Sequence, residues 1–287
     1  MANADRKIMG EHPPEANRAP HPSDNMGFLD HLEELRWRIL KGMIGMVLGI
    51  IIAVYFNEFF INKVMLGPTN SSFFIYDLLG IDAIDLTLQS RKLPSQFFTY
   101  WGTLLVVGGI LGAPVFFYQL YMFVEPAMEQ VGKFRTKFTV AGISFLFMIG
   151  VLFGYFVLTP FAVQFFSQFQ ISTVIINEFD INEYFSTLTL WVLACGFIFQ
   201  MPMVSYFLSK VGILTPQFMR TYRRHALVFC FVVGAFLTPP DPLSQIIMAV
   251  PIFGLYELSI FVSRIAERQR NKAIWGDKDG SKLTKKS

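Results

Sequence analysis

The chain has 287 residues, of which 53% are hydrophobic and only 16% charged, and its mean hydropathy is +0.45. Soluble globular domains carry about a quarter charged residues, so the composition excludes that class and points to a membrane protein. The net charge of +3 is small, and no nucleic-acid partner is expected.

Residues 1–27 are polar and rich in Pro, Ala and Asn, with no apolar core of the kind a secretory signal needs. They are expected to form a disordered cytoplasmic tail. Next comes "DHLEELRWRIL", Asp30–Leu40. Leu32, Leu35 and Ile39 share one helical face, and Asp30 and Glu33 have the spacing of a capping box. Glu34 and Arg38 stand at i, i+4 in the acid-first order that favours an ion pair. On spacing alone this is a capped amphipathic helix anchored by snorkelling arginines. Anchoring requires only the cations, so the acidic pair raises a separate question.

A helix needs about 20 apolar residues to cross roughly 30 Å of hydrocarbon. Four stretches qualify: Ile39–Phe60, Phe97–Val124 with Pro114 as an expected kink, Phe138–Leu158 with no charge, and Tyr184–Leu208 with Gln200 and Pro202 inside it. Between the third and fourth, "TPFAVQFFSQFQISTVIINEFDINEY" is apolar enough to pack as short helices along the membrane interface. His225–Leu237 is only about 13 residues, or ~20 Å as a helix. "TPPDPLS" then forces a turn, and Leu243–Val262 returns with Pro251 and Glu257 inside it. This pair reads as two short spans with the bilayer thinned around them, a re-entrant hairpin being the alternative. Residues 269–287 form a second, basic tail.

Cys195 and Cys230 fall inside apolar runs, where buried thiols are expected, and no CxxC or metal-ligand spacing occurs. His12, His21, His31 and His225 form no ligand pattern, and no phosphate-binding glycine motif is present. No catalytic group, metal or cofactor is expected, and the chain is not expected to be an enzyme.

Lys and Arg placement sets the orientation. Arg36, Arg38 and Lys41 precede the first span, and Lys133, Arg135 and Lys137 join the second to the third. Lys210, Arg220, Arg223 and Arg224 lie between the fourth and fifth, and Arg264, Arg268 and Arg270 follow the sixth. Phe138 to Ser209 contains no Lys or Arg. The alternation fits six spans in the cytoplasmic membrane with both termini inside. The first outer loop departs from it, holding Lys63, Arg91 and Lys92 beside Asp77, Asp82 and Asp85.

"HLEELRWRIL" resembles the amino-terminal signature of TatC, the multispanning subunit of the twin-arginine protein translocase. Pro94–Met128 resembles the second helix and following cytoplasmic loop of that family, and "CGFIFQMPMVSYFL" its fourth helix. Phe231–Arg264, with "LTPPDPLSQ", resembles its fifth and sixth helices. The resemblance covers roughly Phe28 to Arg268. It implies an all-α membrane protein with six transmembrane helices in a concave cup, the last two short, in a domain spanning 28–268.

The function the resemblance implies is binding: recognition of twin-arginine signal peptides on folded precursors, then recruitment of small single-span TatA/TatB-type subunits for export driven by the proton gradient. Self-association in a larger complex and contact with membrane lipids go with it. The signal-peptide residues it implies are Glu34, Arg36, Phe123, Pro126 and Glu129; those for partners and translocation are Gln200, Asp241 and Glu257. A carboxylate suits an arginine fork, which it accepts in bidentate geometry that lysine cannot reproduce. The family pattern has a second acid six residues after a cytoplasmic proline. Gly132 stands at that position here, leaving Glu129 as the nearest acid and Glu125 just before Pro126. The family often has Glu at the position of Gln200, whose alternative is a helix–helix bond within the chain. Asp241 has the alternative of capping the sixth helix, and Glu257 that of snorkelling or pairing with a nearby Arg. The rival function is a secondary transporter or channel for a small solute. It lacks support from internal repeats, and Gln200 is the only strong midplane polar group.

Overall fold

The computed structural model describes residues 28–82, 84–129, 136–172, 174, 177–238 and 242–275. Five of its helical segments are long and apolar enough to cross a membrane: Leu32–Tyr55, Ser95–Glu125, Thr139–Gln168, Ile181–Val211 and Ser244–Lys272.

Helix α1 runs from Phe28 to Tyr55, so the charged threshold and the first apolar stretch are one helix. A π-helical turn (Phe59–Met65), the short helix α2 (Phe74–Leu79) and the two-residue strand β1 (Leu88–Gln89) lead to α3 (Ser95–Glu129). The expected kink at Pro114 does not end that helix, which continues through Pro114 and Pro126. The third span is α4 (Thr136–Phe153), a π-helical stretch (Gly154–Leu158) and α5 (Thr159–Gln168). The π stretch lies just before Pro160. A proline offers no N–H and its ring crowds the carbonyl four residues back, so the local ladder widens there.

The fourth span is broken. Helix α6 (Ile181–Ile198), which follows strand β2 (Phe179–Asp180), stops at the residue whose carbonyl Pro202 would meet, and α7 (Met201–Val211) begins one turn later. Helix α8 (Pro216–Thr221) precedes α9 (Arg223–Leu237) and α10 (Pro242–Trp275). Helix α9 has 15 residues, about 22 Å at 1.5 Å per residue, as short as its sequence suggests. Helix α10 corrects the expectation of two short final helices: it has 34 residues and runs past both Pro251 and residue 268. Packing against α7 carries it beyond its apolar stretch. Ser209 and Ser263 hydroxyls meet at 2.5 Å, Tyr206 donates to Gln269 at 3.2 Å, and Arg270 Nη1 donates to the Ser209 carbonyl at 3.4 Å.

Among the described residues of the segment expected to be interfacial, 159–184, the helical parts are α5, which continues the third span, and the first turn of α6. Between them Phe179–Asp180 forms β2, which pairs in parallel with β1, Leu88 opposite Phe179 and Gln89 opposite Asp180. This pairing ties the loop before α3 to the loop before α6, and Arg91, one of the cations of the first of them, bonds Glu178 at 3.0 Å across it. Asp180 caps α6 by accepting from the Asn182 N–H at 2.9 Å. Desolvation opposes ionisation of its carboxyl, but backbone hydrogen bonds from Asn182 and Glu183 hold it below its ordinary value.

One core cluster joins α3, α4 and α6 through Ala113, Phe117, Tyr121, Ile143, Phe147, Phe185, Leu188 and Val192. A second joins α5, α6, α9 and α10 through Ala162, Trp191, Cys195, Cys230, Met248 and Ile252. Both cysteines are buried there as free thiols. Outward-facing residues remain large and apolar, for example Ile44, Leu48 and Ile51 on α1, as a lipid-facing surface requires.

Candidate functional site

The charged threshold stands at the free end of a tight helix pair. Helix α1 crosses α3 along Gly42, Gly45 and Gly49, facing Phe116, Gly112 and Gly108. The backbones approach so closely that a Cβ on Gly49 would lie 2.1 Å from the Gly108 carbonyl oxygen, and one on Gly112 would lie 2.6 Å from that of Gly45. Gly45/Gly49 and Gly108/Gly112 are both small-residue pairs at i, i+4, the spacing that lets membrane helices touch. That spacing is visible in the sequence and was the available signal for this seam.

Beyond the seam the two helices enclose a narrow crevice lined by Leu35, Arg38, Ile39, Phe116, Gln119, Leu120 and Phe123. Glu34 sits beside it, its side chain 23% exposed. Arg38 addresses one oxygen of that carboxylate twice: Nη2 and Nε donate to Oε1 at 3.1 and 3.3 Å. The expected i, i+4 pair therefore exists, and Oε2 accepts no hydrogen bond among the described residues. Gln119 was not singled out by sequence. Its buried side-chain oxygen, beside the same crevice, meets no donor among the described residues; a polar residue on the apolar face of a predicted span was its signal.

Of the other implied residues, Phe123 is partly buried in the crevice and Arg36 is exposed on α1. Pro126 and Glu129 lie in the last turns of α3, but their side chains, like those of Asp30 and Gly132, lie outside the described residues, as does Asp241. Glu125 is partly buried.

Gln200 and Glu257 sit elsewhere. Gln200 occupies the break between α6 and α7, is 8% exposed, and donates through Nε2 to the Ile143 carbonyl of α4 at 3.2 Å. The amide is thus committed within the chain, in the helix–helix bond that was the alternative reading. Gln200→Leu is expected to lower the stability of the purified protein by about 0.6–1.7 kcal/mol, the range measured for hydrogen bonds between membrane helices. Thermal unfolding in detergent checks this; an unchanged midpoint would mean the bond is replaced at no cost. Glu257 pairs with Arg223 across α9 and α10, Nη2 to Oε2 at 2.6 Å.

The match to known proteins extends over most of the chain. Residues 30–251 match the family described as Sec-independent protein translocase protein (TatC). A Sec-independent protein translocase protein TatC of Blattabacterium sp. subsp. Periplaneta americana is 30% identical over 261 residues, covering 86% of this chain and 98% of that protein. The protein TatCy of Bacillus subtilis (strain 168) is 32% identical over 258 residues, covering 90% and 96%. A crystal structure of a twin arginine translocase receptor, TatC, superposes with a TM-score of 0.65 at 32% identity, covering 82% of this chain and 99% of that one.

Proposed function

The chain belongs to the TatC family of Sec-independent protein translocase proteins, and on that premise we propose that it is the receptor subunit that binds twin-arginine signal peptides of folded precursors. The observation that carries this reading is the Glu34 carboxylate. One oxygen is pinned by Arg38 and the other is open, at the mouth of a crevice walled by Phe123 and Gln119. A carboxylate held in one orientation presents directed lone pairs to a guanidinium at little further entropic cost. In the proposed complex Arg36 and Pro126 frame this rim and Glu129 contributes to the contact with the second arginine. Asp241 and Glu257 serve a later translocation step. Gln200 acts on partner recruitment through the α4–α6 packing it fastens.

The test is affinity of the purified chain in nanodiscs for a twin-arginine signal peptide and for its twin-lysine version. A clear preference for arginine is expected. Equal affinities would remove the receptor reading and return the solute transporter to consideration.

The remaining features of the proposal are architectural. Six membrane-crossing segments form a concave cup with both termini cytoplasmic, α9 being the fifth of them in chain order despite its length. Small single-span TatA/TatB-type subunits and further copies of the chain assemble around it. Single cysteines replacing Asn177 and Lys272, placed at opposite ends of the bundle, are expected to label from opposite sides of the membrane with an impermeant thiol reagent. Labelling of both from the same side would refute the topology.

A further inference from the structure

At the end of the bundle away from Glu34, a recess of about 530 Å³ lies between α5, the first turns of α6 and the end of α9. That volume is within the range of ligand sites. The shortness of α9 accounts for its position. The helix ends at Leu237, whose side chain packs in the cluster of Trp191 on α6. Trp191 stands two turns beyond Glu183, about 12 Å along the helix. The start of α6 therefore overhangs the end of α9, and the recess remains between them.

The recess is graded in polarity. Glu183, Thr187 and Trp191 follow one another at i, i+4 and i+8 on one face of α6, and all three line it. Carboxylate, hydroxyl and indole thus succeed one another from the helix start inward. Glu178 and Asp180 add two further carboxylates at the same rim. Glu178 is paired with Arg91, and Asp180 caps α6. The Glu183 carboxylate makes neither an ion pair nor a hydrogen bond among the described residues. No Lys or Arg is among the described residues that line the recess, so its rim is negative. Phe166, Leu190 and Phe236 also line it and are exposed. The first two belong to membrane-spanning segments, so the recess opens sideways to lipid.

We propose that this recess binds one phospholipid with a primary ammonium headgroup, of the phosphatidylethanolamine kind. The ammonium sits on Glu183, and an acyl chain runs along Thr187 and Trp191 toward Leu237. The gradient matches an amphiphile standing in the bilayer, its head at the end of the span and its tail toward the middle. Charge selects the headgroup. A carboxylate accepts charge-assisted hydrogen bonds from the N–H groups of an ammonium. The trimethylated ammonium of phosphatidylcholine has the same charge and no N–H to donate, and an anionic headgroup brings like charge to the rim. The bound chain covers the end of a helix that alone is too short for the bilayer. This site is separate from Glu34 and does not rest on signal-peptide binding.

Native mass spectrometry of the full chain in detergent tests this, with titrations of palmitoyl-oleoyl phosphatidylethanolamine, phosphatidylcholine and phosphatidylglycerol in parallel. One retained phosphatidylethanolamine is expected, in clear preference to the other two. Glu183→Gln keeps the shape of the side chain and removes its charge. It is expected to weaken phosphatidylethanolamine retention roughly ten-fold or more and to leave phosphatidylcholine retention unchanged. Thr187→Trp, which fills the recess, is expected to reduce both. Asp77→Asn, removing an exposed carboxylate of α2 that does not line the recess, is the control and is expected to change neither. Equal retention of phosphatidylethanolamine and phosphatidylcholine by the unaltered chain overturns the proposal and leaves the recess to a cationic segment of a protein partner. An equal loss in Asp77→Asn, or an intact preference in Glu183→Gln, overturns it as well. Glu183 is exposed, so its replacement is expected to fold and decides the matter even if Thr187→Trp does not.

Discussion

Gly49→Ala is expected to destabilise the protein strongly, while Gly109→Ala, on α3 next to the Gly108 that Gly49 meets but turned away from the seam, is expected to be neutral or slightly stabilising. The two glycines differ in what a methyl group would meet. At Gly49 it would lie 2.1 Å from the Gly108 oxygen and 2.8 Å from the Gly112 nitrogen, both backbone atoms that no rotamer change can move. At Gly109 it would meet nothing within 4 Å. Relief at Gly49 requires α1 to retreat from α3 along the seam, at an overpacking cost of about 1–3 kcal/mol or more. Against this stands a helix-propensity gain of up to about 1 kcal/mol, which Gly109→Ala receives undiminished. Thermal unfolding of both variants in one detergent is the measurement, and indistinguishable midpoints would mean that the close approach is not what holds α1 in place. A function readout sharpens it. Glu34 and Phe123 sit on the two helices beyond the seam, so Gly49→Ala is also expected to weaken signal-peptide binding in whatever fraction remains folded.

Glu34→Ala is expected to behave in the opposite manner, leaving the fold nearly intact and removing binding. Its pair with Arg38 is an i, i+4 bridge on a partly exposed helix surface, worth a few tenths of a kcal/mol. An arginine fork docking on the same carboxylate at the crevice mouth is partly desolvated, and truncating one partner of such a pair costs on the order of 2–4 kcal/mol. Affinity for the twin-arginine peptide is therefore expected to fall roughly thirty- to several-hundred-fold with little change in unfolding temperature. Glu34→Arg is expected to be worse, because it sets like charges together. Glu129→Ala is expected to cost less, since Gly132 leaves that wall without the family's acid and Glu125 stands nearby in sequence. A Glu34→Ala protein that keeps its preference for arginine over lysine would reduce Glu34 to an element of helix anchoring.

How much of this could be read beforehand depends on the range of the interaction concerned. Helical segments, the charged threshold and the Glu34–Arg38 pair depend on neighbours within one or two turns, and the sequence alone determined them. Membrane character likewise needed only hydropathy, and the shortness of α9 only the distance from Arg224 to Pro239. The family motifs are contiguous, which is why Glu34 was recognisable as a candidate.

What only the tertiary structure decided involves partners far apart in sequence. Pro114, Pro126 and Pro251 look alike on paper to Pro160 and Pro202, yet three are absorbed within continuous helices and two coincide with a π stretch and a break; packing on neighbouring helices settles whether the lost hydrogen bond can be tolerated. The length of α10 was hidden because its charged continuation is held by α7 rather than by its own hydrophobicity. Strands β1 and β2 are each two residues long, too short for any periodic signal, and exist because the loops before α3 and before α6 are brought together. The commitment of Gln200 to the Ile143 carbonyl, and the placing of Arg38, Gln119 and Phe123 around one crevice, follow from the same cause. A residue's type announces that it needs a partner in the membrane, but only the packing of helices determines which one it finds.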